Sequence, residues 1–256
     1  MSEMEVQPIA EPNAQAPGLS QMERVIDTFT APSKTFEDIK RGNKSWWMPF
    51  ILITVVSYIL FAAITMKIGW GQVVDNTMRM DPKSEERMAN MPADQRETAM
   101  KFTTYAMEGS FAASPILVLI VVAVGSLVLW GTINFVFGGK ATYGTVFAVW
   151  FYASLPAIIK SLLGAVVIFL TNTPETFDLK NFAPTNIGAF LNPMETNKAL
   201  YSLATSLDVI TIWSLILTGI GISIVAGVKR TSGYIAVFGW WAIIVLIGVG
   251  YAAITG

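Results

Sequence analysis

Residues 209–228 read VITIWSLILTGIGISIVAGV, about twenty positions without one charged side chain. A helix of about 20 apolar residues matches the roughly 30 Å hydrocarbon core of a bilayer. Charge returns at the two edges, as Asp208 before the stretch and Lys229-Arg230 after it. Four other stretches reach the same length: 47–66, 111–137, 143–170 and 234–254. A soluble fold would have to bury all five in one core, which a chain of 256 residues cannot enclose. The pattern predicts an all-α, polytopic membrane helix bundle with five spans.

Composition agrees. Hydrophobic residues make up 53% and charged residues 14%, where soluble domains carry about a quarter charged. Of 17 Lys and Arg, only Lys160 lies well inside an apolar run, and of 18 Asp and Glu none does, with Asp208 at an edge. The net charge of −1 gives no bulk basic field for nucleic acid. The chain has no Cys and no His, which removes disulfides, thiol catalysis and the commonest metal ligands. No cofactor and no metal are expected. Residues 1–20 are rich in Glu, Gln, Pro and Ala and read as a disordered tail. The first 45 residues hold no basic region followed by an apolar core, so no cleavable signal peptide is expected.

Aromatic residues mark the span ends, where the headgroup zone favours them: Trp46, Trp47, Trp70, Tyr143, Tyr234 and Tyr251. Pro156 lies near the middle of the long third span and should kink it. The two shortest loops are basic and free of acids, as is the stretch from Lys40 to Lys44 before the first span. The positive-inside bias acts through such short flanks. It places the N-terminus in the cytoplasm and the C-terminus outside.

Those two short loops also read alike. Gly138-Gly139-Lys140-Ala141-Thr142-Tyr143-Gly144 and Gly227-Val228-Lys229-Arg230-Thr231-Ser232-Gly233 are both G-x-K-x-T-x-G. Spans two–three and four–five thus look like parallel repeats. Glycine can end a helix in the left-handed conformation, lysine can meet lipid phosphates and threonine can cap the next helix. One reading is a lipid or partner site built from Lys140, Lys229 and Arg230, with Lys40 and Arg41 nearby. The plainer one is two tight cytoplasmic turns. Neither loop is a phosphate-binding P-loop, because Lys140 is followed by Ala141 and no strand precedes it.

Residues 21–45 carry Val25, Ile26, Phe29, Phe36 and Ile39 and are divided by Pro32. They read as two short amphipathic helices lying on the cytoplasmic surface. Between spans one and two, Asp81-Pro82 and Met91-Pro92 look like helix starts, and 92–108 reads as one helix of an external cap. The loop from 171 to 205 shows no clear periodicity. Gly219, Ser223 and Gly227 form a small-residue stripe on the fourth span. Packing within the chain is the plain reading, and a homo-oligomer face the sharper one.

Lys160 is the most informative single residue. A lysine near a helix centre costs about 2.5–3.5 kcal/mol on insertion scales. It must snorkel, face water or find a partner. By topology the nearest carboxylate is Asp208; Asn134, toward the cytoplasmic end of its span, is a poorer candidate. The pair is read either as a structural tie or as an intramembrane polar site for an ion or substrate.

Three segments together resemble a known family. They are 24–32 (RVIDTFTAP) with Phe36, Ile39 and Trp46-Trp47-Met48-Pro49; 139–143 with 150–156 (WFYASLP); and 91–97 (MPADQRE). They resemble prokaryotic members of the Yip family, the Ypt/Rab-interacting proteins, over roughly residues 22–254. The resemblance implies five spans and a cytoplasmic N-terminus. Eukaryotic members are associated with Rab GTPases, vesicle trafficking and membrane shaping. No catalytic residue is implied.

The leading expectation is a non-enzymatic scaffold or adaptor of a bacterial inner membrane, with lipids and other membrane proteins as partners. A small transporter or permease subunit with a site near Lys160 is the second reading. The lack of intramembrane acids speaks against it. An intramembrane hydrolase would need an activated nucleophile. Ser154 and Ser161 both point to other helix faces than Lys160.

Overall fold

The computed structural model describes residues 18–170 and 174–255. Most of the expected disordered tail, residues 1–17, lies outside them, as do 171–173 at the start of the second long loop. The described chain is helical. It opens with α1 (Gln21–Thr30) and α2 (Pro32–Lys40), followed by α3 (Trp47–Lys67). Three helices then form a cap: α4 (Trp70–Arg79), α5 (Pro82–Ala89) and α6 (Ala93–Ala112). Next come α7 (Ser114–Gly131), with a wider π-turn at Thr132–Val136, then α8 (Tyr143–Ala153) and α9 (Ala157–Leu170). The chain closes with α10 (Lys198–Ser206), α11 (Val209–Ala226) and α12 (Arg230–Thr255).

Five helical stretches are long and apolar enough to cross a membrane: Trp47–Lys67, Ser114–Val136, Tyr143–Leu170, Val209–Ala226 and Arg230–Thr255. They match the five predicted runs to within a few residues. The third is broken where Pro156 stands, between α8 and α9. Proline has no N–H to continue the ladder, and the Ser154 hydroxyl donates to the Trp150 carbonyl at 2.9 Å beside the break.

α11 is the central post. It packs on α12, α2 and α8, while α3 runs along α9 and α7 along α8. Lipid supplies no hydrophobic drive between helices, so contact depends on close backbone approach. A Cβ on Gly219 would strike the Tyr234 ring, and one on Gly233 would strike the Gly219 carbonyl and lie 3.0 Å from Ser223 Cβ. Two of the three residues in the small-residue stripe therefore face α12 of the same chain. The third, Gly227, ends α11 at φ 68°, in the left-handed region. Away from these contacts α12 presents Ile243, Ile244, Leu246 and Ile247 outward, as a lipid-facing helix should.

The structure alters several local expectations. α1 and α2 are divided at Pro32, but they do not lie free on a surface. They form a hairpin whose apolar edge is built into one end of the bundle. Phe36 and Ile39 are fully buried there, and Phe29 meets Trp213 edge-on with ring centroids 5.7 Å apart. Trp46 and Trp70, expected as interface anchors, are packing rings. Trp46 stacks on Phe151 at 5.3 Å, and buried Trp70 donates to the Thr65 hydroxyl at 2.9 Å. The loop before α11 holds a helix, α10, capped by the Asn197 side chain on the Ala199 and Leu200 amides.

The hairpin and the two short turns share one end of the bundle, the basal end. The cap helices and the 174–206 segment share the other, the cap end.

Candidate functional site

The basal end is assembled from three segments distant in sequence. α11 ends as a Schellman motif: the Val228 amide donates to the Ser223 carbonyl and the Gly227 amide to the Ile224 carbonyl. The first turn uses the same device, with Gly138 at φ 69° and the Gly139 amide reaching back to the Ile133 carbonyl at 2.9 Å. The π-turn at Thr132–Val136 lengthens that return by one residue. Asn134, weighed above against Lys160, instead clips this turn, accepting from the Ala141 amide and donating to its carbonyl, both at 2.9 Å.

The two turns are stitched together. The Lys140 amide donates to the Ala226 carbonyl at 3.0 Å, and a Cβ on Gly139 would come 2.9 Å from the Ala226 methyl. Thr142 accepts from the Thr145 amide and caps α8. Its counterpart Thr231 lies inside α12, so the repeat holds for the turn and not for the cap.

Basic side chains gather on this joint. The Lys40 ammonium stands over Gly227, 3.9 Å from where a Cβ would be, and the Lys44 stem lies over Gly144 at 3.3 Å from the same reference point. Lys40, Lys44, Lys140 and Lys229 are exposed and pair with no carboxylate among the described residues. Arg230 donates to the Ser33 hydroxyl at 2.9 Å and Arg41 pairs with Asp38 at 3.2 Å. The five basic residues predicted as a site thus share one end of the molecule, with two of them tied to the hairpin.

The hairpin is fixed by a group that the sequence did not single out. Arg24 is fully buried, with Nε 2.8 Å from Asp38 Oδ2. Its Nη1 donates to the carbonyls of Asn43 and Ser45 at 3.2 and 3.4 Å, and the guanidinium lies 5.8 Å from the Tyr152 ring centre. The Tyr152 hydroxyl donates to Gln21 at 2.9 Å, and the Leu19 amide donates to Asp38. The Thr28 and Thr35 hydroxyls both donate to the Arg24 carbonyl. Arg24 therefore joins α1, α2, the lead-in to α3 and α8. A signal for it existed: Arg24 and Thr28 are four apart, on one face of an amphipathic helix.

At the cap end, the Lys160 ammonium lies 2.8 Å from Asp208 Oδ2. Asp208 also caps α11 by accepting from the Thr211 amide, and it accepts from the Thr185 hydroxyl. Burial pushes the Asp208 carboxyl up, but the hydrogen bonds from Lys160, Thr185 and the Thr211 amide outweigh it and hold the group below the ordinary carboxylate range. The Phe182 ring lies 5.5 Å over the Lys160 ammonium and packs against Gly164. The arrangement ties α9, α11 and the 177–186 segment together. Thr185 and Phe182 lay in the stretch without periodicity and carried no sequence signal.

Further out, the cap is joined by Asn76, which donates to the Pro174 and Phe177 carbonyls at 2.7 and 3.0 Å, and by Lys198 with Asp81 at 3.0 Å.

The chain is similar to the membrane protein YknW of Bacillus subtilis (strain 168), with 22% identity over 225 residues, covering 88% of this chain and 85% of that protein. No solved structure matches it. The Yip1 domain matches residues 26–252, from the middle of α1 almost to the end of α12. With both glycine turns, most of the hairpin and nearly all of the apolar spans inside that match, the chain belongs to the Yip1 domain family of multi-pass membrane proteins.

Proposed function

We propose that this protein is a non-enzymatic scaffold or adaptor of a bacterial inner membrane, with its N-terminus and basal end in the cytoplasm and its C-terminus outside. One observation carries the reading: the α1–α2 hairpin is a rigid platform. Its inner edge is locked by Arg24, Asp38, Phe36 and Ile39, all buried. Its outer edge presents Lys34, Glu37, Lys40 and Arg41 to solvent. A fixed charged edge suits a protein partner, because ordering costs little on binding. Lys160 supports a tie rather than a carrier site, since Asp208 holds it and Phe182 covers it.

Orientation is tested by single cysteines at Ser232 and Thr98, in a chain that has no native cysteine to interfere. An impermeant thiol reagent should label the second and not the first in intact cells. Partner binding is tested by copurification in native nanodiscs. Removing the hairpin would unpack the bundle, and Lys34 is held by Asp27 at 3.0 Å, so the variant is E37K, which reverses the charge of an exposed side chain only. A partner lost from this variant supports the adaptor reading. If no protein copurifies with either form, the reading falls.

A further inference from the structure

We infer that the two stitched basal turns hold the headgroup of an anionic phospholipid that carries two phosphates. The inference rests on the reading of the basal end as the cytoplasmic face. Four exposed lysines meet at the turns, Lys140 and Lys229 within them and Lys40 and Lys44 reaching over Gly227 and Gly144, with no carboxylate partner among the described residues. Like charges brought together repel, and a bound anion relieves the repulsion.

The gathering is built into the backbone. Gly139 admits the Ala226 methyl, the Lys140 amide bonds to Ala226, and both turns reverse through a left-handed glycine. Each turn also leads into the start of a helix, α8 or α12; beyond the Thr145 amide capped by Thr142 and the Ser232 and Gly233 amides bonded to the Lys229 carbonyl, the earliest amides have no intrahelical acceptor. Two such turns side by side offer two places for phosphate, and a headgroup with two phosphates spans both.

The source is a lipid because acyl-compatible surface adjoins the amines. Phe135 and Val136, just before the first turn, are 81% and 72% exposed, and Ile235, just after the second, is 61% exposed. Tyr143 also faces outward there. A free phosphate would make no use of these side chains, whereas a phospholipid covers them with its chains while its phosphates meet the lysines.

The test is lipid retention by the full-length purified protein, read by native mass spectrometry. It is titrated with diphosphatidylglycerol, with phosphatidylglycerol at matched total phosphate, and with inorganic pyrophosphate. Diphosphatidylglycerol should be retained at least about tenfold more tightly than phosphatidylglycerol. K140Q with K229Q should weaken it about tenfold or more. K140R with K229R should keep it. Equal retention of the two lipids at matched charge, or retention unchanged in the glutamine variant, overturns the proposal. Pyrophosphate binding as tightly as the lipid overturns the lipid assignment. Protein copurification that persists in K140Q with K229Q would leave the adaptor reading standing while the lipid site fails.

Discussion

Among the described residues, two ion pairs with a buried carboxylate do similar work at opposite ends of the molecule. Arg24 and Asp38 fasten the N-terminal hairpin at the basal end, and Lys160 and Asp208 fasten the 177–206 segment at the cap end. They differ in how dry they are. The Arg24 and Asp38 side chains are 0% and 2% exposed, whereas Lys160 retains 21%. The basal pair is held by the Asn43 and Ser45 carbonyls on the guanidinium, the Leu19 amide on Asp38 and the Tyr152 ring beside them. The cap pair is a lysine reaching from inside a span toward its end. A guanidinium cannot shed its proton to escape burial, and an ammonium on a flexible stem can find water. Loss of a partner should therefore cost more at the basal end.

The strongest way to break the comparison is D38N, which leaves the Arg24 charge buried and unpaired. Stranding a charge in this way costs about 3–5 kcal/mol. The unfolding temperature in nanodiscs should fall steeply, and α1–α2 should lose hydrogen-exchange protection first. An unchanged hairpin would mean that the carbonyls of Asn43 and Ser45 alone can hold Arg24.

K160M should do less, about 1–3 kcal/mol. Asp208 keeps the Thr185 hydroxyl and the Thr211 amide when the ammonium is gone. Limited proteolysis should open the 177–206 segment and spare the hairpin. Equal damage at both ends would show that the cap pair is as dry as the basal one.

Acid sharpens the same contrast. Asp208 is held below its ordinary value of 3.8 in the folded protein. A depressed carboxylate adds stability that is fully present above that ordinary value and is lost as pH falls through the folded one. Exchange protection of 177–206 should therefore hold down to about pH 4 and fail below it. K160M should shrink this acid loss, because a folded value closer to the ordinary one leaves less stability to lose; a loss of unchanged size would put the effect elsewhere. The smallest effect belongs to the half-exposed Asp81–Lys198 pair. K198Q should shift stability by about 1 kcal/mol or less, measured by the same melt.

How legible each pair was follows from its surroundings. Lys160 stood alone in an apolar run, so its need for a partner was plain, and topology offered Asp208. Arg24 and Asp38 sat among other charges, where a charged residue raises no question. Their burial depends on Phe36 docking against Val149 and Gly221, a contact of long sequence separation. The spans were legible because lipid demands uniform apolar length. α10 was not: it packs on α12, and its nine residues carry too short a pattern to stand out. The turn motif could be read as a repeat, but the stitch between its copies depends on the Ala226 carbonyl and on Gly139 lacking a side chain.

The docking of Phe36 beside Gly221 also sets an order of events during synthesis. The hairpin leaves the ribosome before any of the five spans, yet its seat is not complete until α11 has been made. At about 5–20 residues per second, the interval lasts on the order of ten seconds or more. Throughout it Arg24 and Asp38 must remain in water, at the membrane edge, beside a half-built protein. A segment translated ahead of every span is thus among the last to settle, and a chain truncated before residue 221 leaves α1 and α2 unseated.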